Sequence, residues 1–385
     1  MFSRSPGIRR RPALALAGLL ALCVLALAAA GASTAQAVSS VQARYLALAE
    51  QGVAQAQSHW HDRRHGFYDE HLADRQRFPL ATIWGSVPLF ESLDAIALAA
   101  PTVAHRRAVT RFASQAEHYL NRGLHPSGYS PYPGDRAAGT ETWFDDNGWL
   151  GLAFVNAFAA TGRGRYLTDA ERALRFIAVD GWDPRAGGLW WNTHHPYKAG
   201  EALASATLLA SLLYERTRSA FALGQARRFL AWGDVHLFDT RAGLYVRSDL
   251  APIPIDYVEG PLIFAHQVLC RTTGAQADCA RARELVDTSL KRFGRALDFA
   301  PQFDAIYLQW LLAQYGQTGD RRLYDLAASS ARAAASQALD GQGLYLRGWG
   351  GEQLSGALAA PGLLRTHAAT TSLFAWLAVY PPPAG

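Results

Sequence analysis

Cysteine is scarce in this chain, with three in 385 residues. Their spacing suits no zinc pattern, which excludes a structural zinc module. Alternating, strand-like apolar runs are also few, so an all-β architecture is excluded. No Lys/Arg cluster stands outside the N-terminus, and no large basic excess remains once that segment is set aside. Nucleic acid is therefore not an expected partner.

The first 37 residues read as a targeting segment rather than as part of the fold. Arg4, Arg9, Arg10 and Arg11 precede an apolar run from Ala13 to Ala30, and Ala35-Gln36-Ala37 follows. A basic start, an apolar centre and an A-x-A site predict a secretory signal peptide cleaved after Ala37. The alternative is an uncleaved anchor, since the run is near the ~18 residues that span a bilayer. Arg9-Arg10-Arg11 is a weak twin-arginine match, and Leu22 before Cys23 argues against a lipoprotein site. Cleavage leaves 385 − 37 = 348 residues with a net charge of +5 − 4 = +1. The mature protein is expected to be secreted or periplasmic, monomeric and free of the membrane. In an exported chain the two remaining cysteines, Cys270 and Cys279, suggest a disulfide. Two free thiols are the alternative.

What the chain has in quantity is apolar and aromatic surface at helical spacing. Half the residues are apolar, with 11 Trp and 15 Tyr. Helix-period segments are expected at 41–60, 84–100, 103–121, 146–160, 166–178, 199–216, 219–234, 258–270, 279–295, 303–316, 321–337 and 364–379. Two loop types alternate between them. One is a glycine followed by aromatic or apolar residues, at Gly66-Phe67-Tyr68, Gly128-Tyr129, Gly188-Leu189-Trp190-Trp191, Gly243-Leu244-Tyr245 and Gly343-Leu344-Tyr345, with a degenerate copy at Leu297-Asp298-Phe299. The other is Thr161-Gly162, Thr273-Gly274 and Thr318-Gly319, with Thr217-Arg218 as a variant. Alternating loops imply helical hairpins, and six hairpins of roughly 45–60 residues fit an all-α, closed (α/α)6 barrel in one domain, 38–385. An open solenoid is the alternative. Closure is favoured because neither terminal unit resembles a polar cap. Gly-aromatic loops at one end would line a cleft whose Trp and Tyr rings stack on sugars.

Within the segment Trp143-Phe144-Asp145-Asp146-Asn147-Gly148-Trp149, two adjacent acids sit among aromatics at the start of an apolar helix. Helix capping would account for one aspartate. A second needs its own reason, because burying an uncompensated carboxylate is costly. Retaining glycosidases use two carboxyl groups ~5–5.5 Å apart. Neighbouring residues at a helix start can reach that separation. Mutual repulsion would keep one proton on the pair at neutral pH.

These residues resemble glycoside hydrolase family 76, the α-1,6-mannanases, through its Asp-Asp-x-x-Trp signature. Further matches follow in order: Thr161-Gly162 with Tyr166-Leu167, Gly187-Gly188-Leu189-Trp190-Trp191, Tyr197-Lys198, and Gln302-Phe303 with Ile306. The resemblance spans roughly 41–380. It implies an (α/α)6 barrel, a retaining endo-α-1,6-mannanase, Asp145 as nucleophile and Asp146 as acid/base. No metal or cofactor is implied. A polysaccharide or oligosaccharide is the expected partner.

Candidate substrate-binding residues are Trp84, Trp149, Trp190, Trp191, Lys198, Tyr257 and Trp349, together with the carboxylates Asp256 and Glu259. The chain departs from the family at Tyr257-Val258-Glu259-Gly260, at Leu203-Ala204 and at Gln309. His59, His61, His65 and His71 are read as surface residues. Three rival functions are a sugar epimerase using His194, His195 or His367, an unsaturated-glucuronide hydrolase, and a non-catalytic glycan-binding cell-wall protein. Transglycosylation is a further possibility within the family. The Pro- and Gly-rich segment 124–142 runs into the aspartate pair and is expected to shape one cleft wall.

Overall fold

The computed structural model describes residues 39–72, 80–294, 297, 300–354 and 362–384. The expected leader, Cys23 and the Asp298-Phe299 part of the degenerate loop lie outside them. Twelve α-helices are present among the described residues: α1 Ser40–His59, α2 Ile83–Ala99, α3 Val103–Ala116, α4 Phe144–Thr161, α5 Arg165–Phe176, α6 Gly200–Thr217, α7 Ala220–His236, α8 Asp256–Thr273, α9 Gln276–Phe293, α10 Pro301–Thr318, α11 Arg321–Gln337 and α12 Leu364–Val379.

The even-numbered helices form an inner ring. In it α2 packs on α4, α4 on α6, α6 on α8, α8 on α10, α10 on α12, and α12 returns to α2. That last contact closes the barrel and removes the solenoid alternative. Inner helices are buried on nearly every face, whereas outer ones bury a single stripe, such as Val109, Phe112, Ala113 and Ala116 on α3. This burial difference explains why the inner sequences are apolar almost throughout and the outer ones amphipathic.

The two loop types lie at opposite ends of the ring. Thr161, Thr217, Thr273 and Thr318 each donate a hydroxyl hydrogen bond to the carbonyl four residues back, at 2.6, 2.7, 2.7 and 3.0 Å. The next residue then caps the helix in the left-handed region, Gly162 at φ 73°, Gly274 at 73° and Gly319 at 71°. Arg218 takes the same conformation at φ 56°, so the variant loop keeps the geometry without glycine.

At the other end, short hairpins lead from outer to inner helices. They pair His61–Asp62 with Phe67–Tyr68, Leu120–Asn121 with Gly128–Tyr129, and Phe238–Asp239 with Leu244–Tyr245. The hairpin at 120–129 shortens the expected helix 103–121, which ends at Ala116. Four other helices start two or three residues earlier than expected, α4 at Phe144, α8 at Asp256, α9 at Gln276 and α10 at Pro301, so Asp145, Asp146 and Asp256 lie within first turns. Cys270, near the end of α8, is joined to Cys279 on α9 by a disulfide.

Candidate active site

All six inner helices begin at the hairpin end, so their positive N-terminal dipoles converge there. First-turn acids follow on several of them: Asp145 and Asp146 on α4, Glu201 on α6, Asp256 and Glu259 on α8, and Asp304 on α10.

A repeated hydrogen bond fixes these starts. The fourth residue of α4, α8 and α12 accepts the backbone N–H of the loop tyrosine before it. Asn147 Oδ1 accepts from Tyr129 at 2.8 Å, Glu259 Oε1 from Tyr245 at 2.6 Å, and His367 Nδ1 from Tyr345 at 3.1 Å. Asn147 Nδ2 also donates to the carbonyls of Tyr129 and Trp143, each at 2.9 Å. The start of α4 is held further by the Phe144 N–H on the Trp191 carbonyl at 3.0 Å. Gly148 allows the close approach of α6, since a β-carbon there would overlap the Ser205 hydroxyl.

A cavity of about 250 Å³ opens above this ring. Asp145 and Asp146 line it side by side, 7% and 8% exposed. The helix N-cap is Trp143, and it makes no side-chain cap. Asp145 does draw on the free first-turn N–H groups, but burial outweighs that help. Desolvation, then Asp146 and Glu201 as like charges, push its carboxyl well above the ordinary range. Desolvation and the nearby Glu70 raise Asp146 to about 7, against the opposing pull of Arg365. Such a pair shares its protons, and the arrangement can hold a nucleophile and an acid at once.

Aromatic rings form the walls. Tyr257 and Phe303 have centroids 5.0 Å apart, Trp84 and Phe303 are at 5.4 Å, and Trp149 lies 5.9 Å from Tyr257 beneath. Trp143 and Trp191 meet edge to face at 6.1 Å on the other side. Pro131 and Tyr132 bring the segment 124–142 to the rim.

The remaining sequence candidates lie elsewhere. Trp190 is clamped between Lys198, whose Nζ is 3.3 Å from the ring centroid, and His195 at 5.0 Å. Lys198 pairs with Asp183 at 2.9 Å, holding that carboxyl down at about 2. The cluster pins a loop and does not line the cavity. Trp349 donates to Thr370 Oγ1 at 2.9 Å and faces a separate groove. Asp256 is fully buried below the cavity, and Glu259 is occupied by Tyr245. His367 donates to the Gly52 carbonyl at 2.9 Å, and its burial lowers it to about 4. Neither His194 nor His195 lines the cavity. His59 and His65 are exposed, whereas His61 and His71 are half-buried. The departures at Val258 and Leu203 are buried wall positions, and Gln309 donates to Glu91 deeper in the barrel at 3.1 Å.

Sequence reading missed Glu201 and Arg247, both of which line the cavity. Glu201 occupies the same register on α6 as Asp145 on α4, the second helical residue. That register was the available signal.

The profile described as Glycosyl hydrolase family 76 matches residues 110–356, more than half of the chain. No curated protein matches. Among solved structures, a family 76 mannosidase from Bacteroides thetaiotaomicron superposes with a TM-score of 0.76 at 20% identity, covering 87% of this chain and 98% of its own. A family 76 α-mannanase from the same organism gives 0.78 at 19%, covering 87% and 95%. An α-1,6-mannanase from Salegentibacter sp. gives 0.69 at 16%, covering 87% and 99%. That last structure is an inactive variant, with two consecutive aspartates changed to asparagine, in complex with α-1,6-mannotriose.

Proposed function

Because the chain belongs to glycoside hydrolase family 76, we propose that it is a retaining endo-α-1,6-mannanase that uses Asp145 and Asp146. The carrying observation is the buried aspartate pair on the first turn of α4, inside an aromatic-walled cavity. The mannotriose complex of the Salegentibacter relative supports an α-1,6-mannoside as substrate.

In the first step Asp145 attacks the anomeric carbon while Asp146 passes its proton to the glycosidic oxygen. The C–O bond breaks and a glycosyl ester forms on Asp145. Asp146, now ionised, takes a proton from water. The water oxygen attacks the anomeric carbon and releases Asp145 as a carboxylate. Before a sugar binds, burial and then the like charges of Asp146 and Glu201 favour the proton on Asp145. Sugar hydroxyls donating to Asp145 would favour its ionised form and leave the proton on Asp146. Trp84, Tyr257 and Trp191 supply apolar faces for pyranose rings.

The test is incubation with α-1,6-mannan oligosaccharides while NMR follows the product anomers. First-formed α-products support double displacement, and β-products end that proposal. Product lengths separate endo from exo cleavage, and products longer than the substrate would reveal transglycosylation. We also propose export with removal of residues 1–37, consistent with the Cys270–Cys279 disulfide. N-terminal sequencing of the protein recovered outside the cytoplasm tests this, and a mature start other than Val38 overturns the cleavage site.

A further inference from the structure

Each aspartate of the pair has one Glu–Arg ion pair beside it. Near Asp146 these are Glu70 and Arg365, with Nη1 to Oε1 at 3.6 Å. Glu70 also accepts the Thr82 N–H at 2.6 Å and the Thr82 hydroxyl at 3.0 Å, which fixes the start of α2. Neither member lines the cavity.

Near Asp145 they are Glu201 and Arg247, with Nε to Oε1 at 2.9 Å. Here both members line the cavity. Glu201 is 1% exposed, and its Oε2 is buried with no hydrogen-bond partner among the described residues. Asp145 Oδ1 is in the same condition. A buried carboxylate oxygen without a donor is costly. Two such oxygens beside one cavity require donors from whatever fills it. Arg247 meets Glu201 through Nε, its side chain also hydrogen-bonds Tyr197, and it is 39% exposed where it lines the cavity.

We propose that Glu201 and Arg247 form a diol-reading subsite for the sugar bound against Asp145. Glu201 Oε2 accepts one hydroxyl, and Arg247 donates to its neighbour. The ligand class is a neutral hexopyranoside with a vicinal diol. An anionic sugar is disfavoured, because the Arg247 charge is already met by Glu201 with Asp145 and Asp146 close by. This inference deepens the glycosidase reading and rests on it.

The test is calorimetric titration of an Asp146→Asn parent with α-1,6-mannotriose and with uronate- and phosphate-bearing glycans. Adding Arg247→Ala or Glu201→Gln should each weaken mannotriose binding by ~10-fold or more, the scale of a hydrogen bond to a charged group. Arg247→Lys keeps the charge but loses the fork, and should recover only part of the affinity. In the active enzyme, deoxy-mannosides lacking one diol hydroxyl should bind poorly, and the variants should lose that discrimination. Folding is checked by the thermal melt. Folded variants that bind mannotriose within twofold of the parent overturn the subsite, as does a preference of the parent for anionic glycans. A parent that ignores mannotriose but binds another neutral oligosaccharide, with the same loss in the variants, overturns the mannoside reading and leaves the subsite standing.

Discussion

Asn147 holds the backbone of Tyr129 from both sides, accepting its N–H at 2.8 Å and donating to its carbonyl at 2.9 Å. The residue directly before it is Asp146, so this clamp sets where the pair begins. Asn147→Ala removes these bonds and leaves buried backbone groups unpaired, at ~1–3 kcal/mol for each group. The expected loss in urea unfolding is about 2–4 kcal/mol, with a fall in kcat as the carboxylates lose their placement. A variant within about 0.5 kcal/mol of wild type would show that the clamp is dispensable.

Asp145→Asn and Asp146→Asn should each reduce kcat by at least ~10³-fold. Stability should hold or rise, because a buried carboxyl with a raised pKa is replaced by a neutral amide. Turnover and thermal melts of both variants check this. Near-full activity in either one removes that residue from the mechanism. The same shifts place the acid limb of kcat/KM above the ordinary carboxylate range. A limb near pH 4 would count against mutual repulsion and burial as controlling forces.

Glu91 is buried inside the ring with Asn156 and Gln309, both donating to Oε2, and no cation among the described residues pairs with it. Desolvation raises its carboxyl to about 8. Below the unfolded value of ~4.3, both folded and unfolded states are protonated. Between there and about 8 the folded state binds more protons, so stability contributed by the neutral form is lost as pH rises. Glu91→Gln should therefore match wild type near pH 4 and melt higher than wild type at pH 8. Equal differences at the two pH values would show that Glu91 is ionised in the fold.

The Cys270–Cys279 disulfide lies about 20 Å along α8 from Tyr257, given 1.5 Å per residue. Its loop is short, with a sequence separation of 9. The chain-entropy scale gives about 2–3 kcal/mol for a loop of that size. Reduction, or Cys270→Ser with Cys279→Ser, should lower stability by about this much and leave kcat unchanged at temperatures where the fold persists. Denaturant titration and steady-state kinetics on the same sample read both. A large drop in kcat would mean that the far end of α8 is coupled to the cavity.

Much of the architecture was legible because it is local. Helix period, the Thr-Gly caps and the Gly-aromatic loops each depend on residues a few positions apart, and they recur. The aspartate pair was visible because adjacent acids among aromatics contradict ordinary burial rules. Glu259 shows where such reading stops. As an acid at a helix start it looked like a cleft carboxylate, yet it does for Tyr245 what Asn147 does for Tyr129. His367 does the same for Tyr345. Three different side chains share one task, and only the shared geometry reveals it.

The sequence by itself determined the helical hairpins, their count and the aspartate pair, because short-range periodicity and capping chemistry are written in neighbouring residues. Tertiary structure alone decided that α12 closes on α2, which aromatics face the cavity, and that Glu201 meets Arg247 beside Asp145. Those contacts join residues far apart in the chain, brought together by burying six apolar helices in one ring.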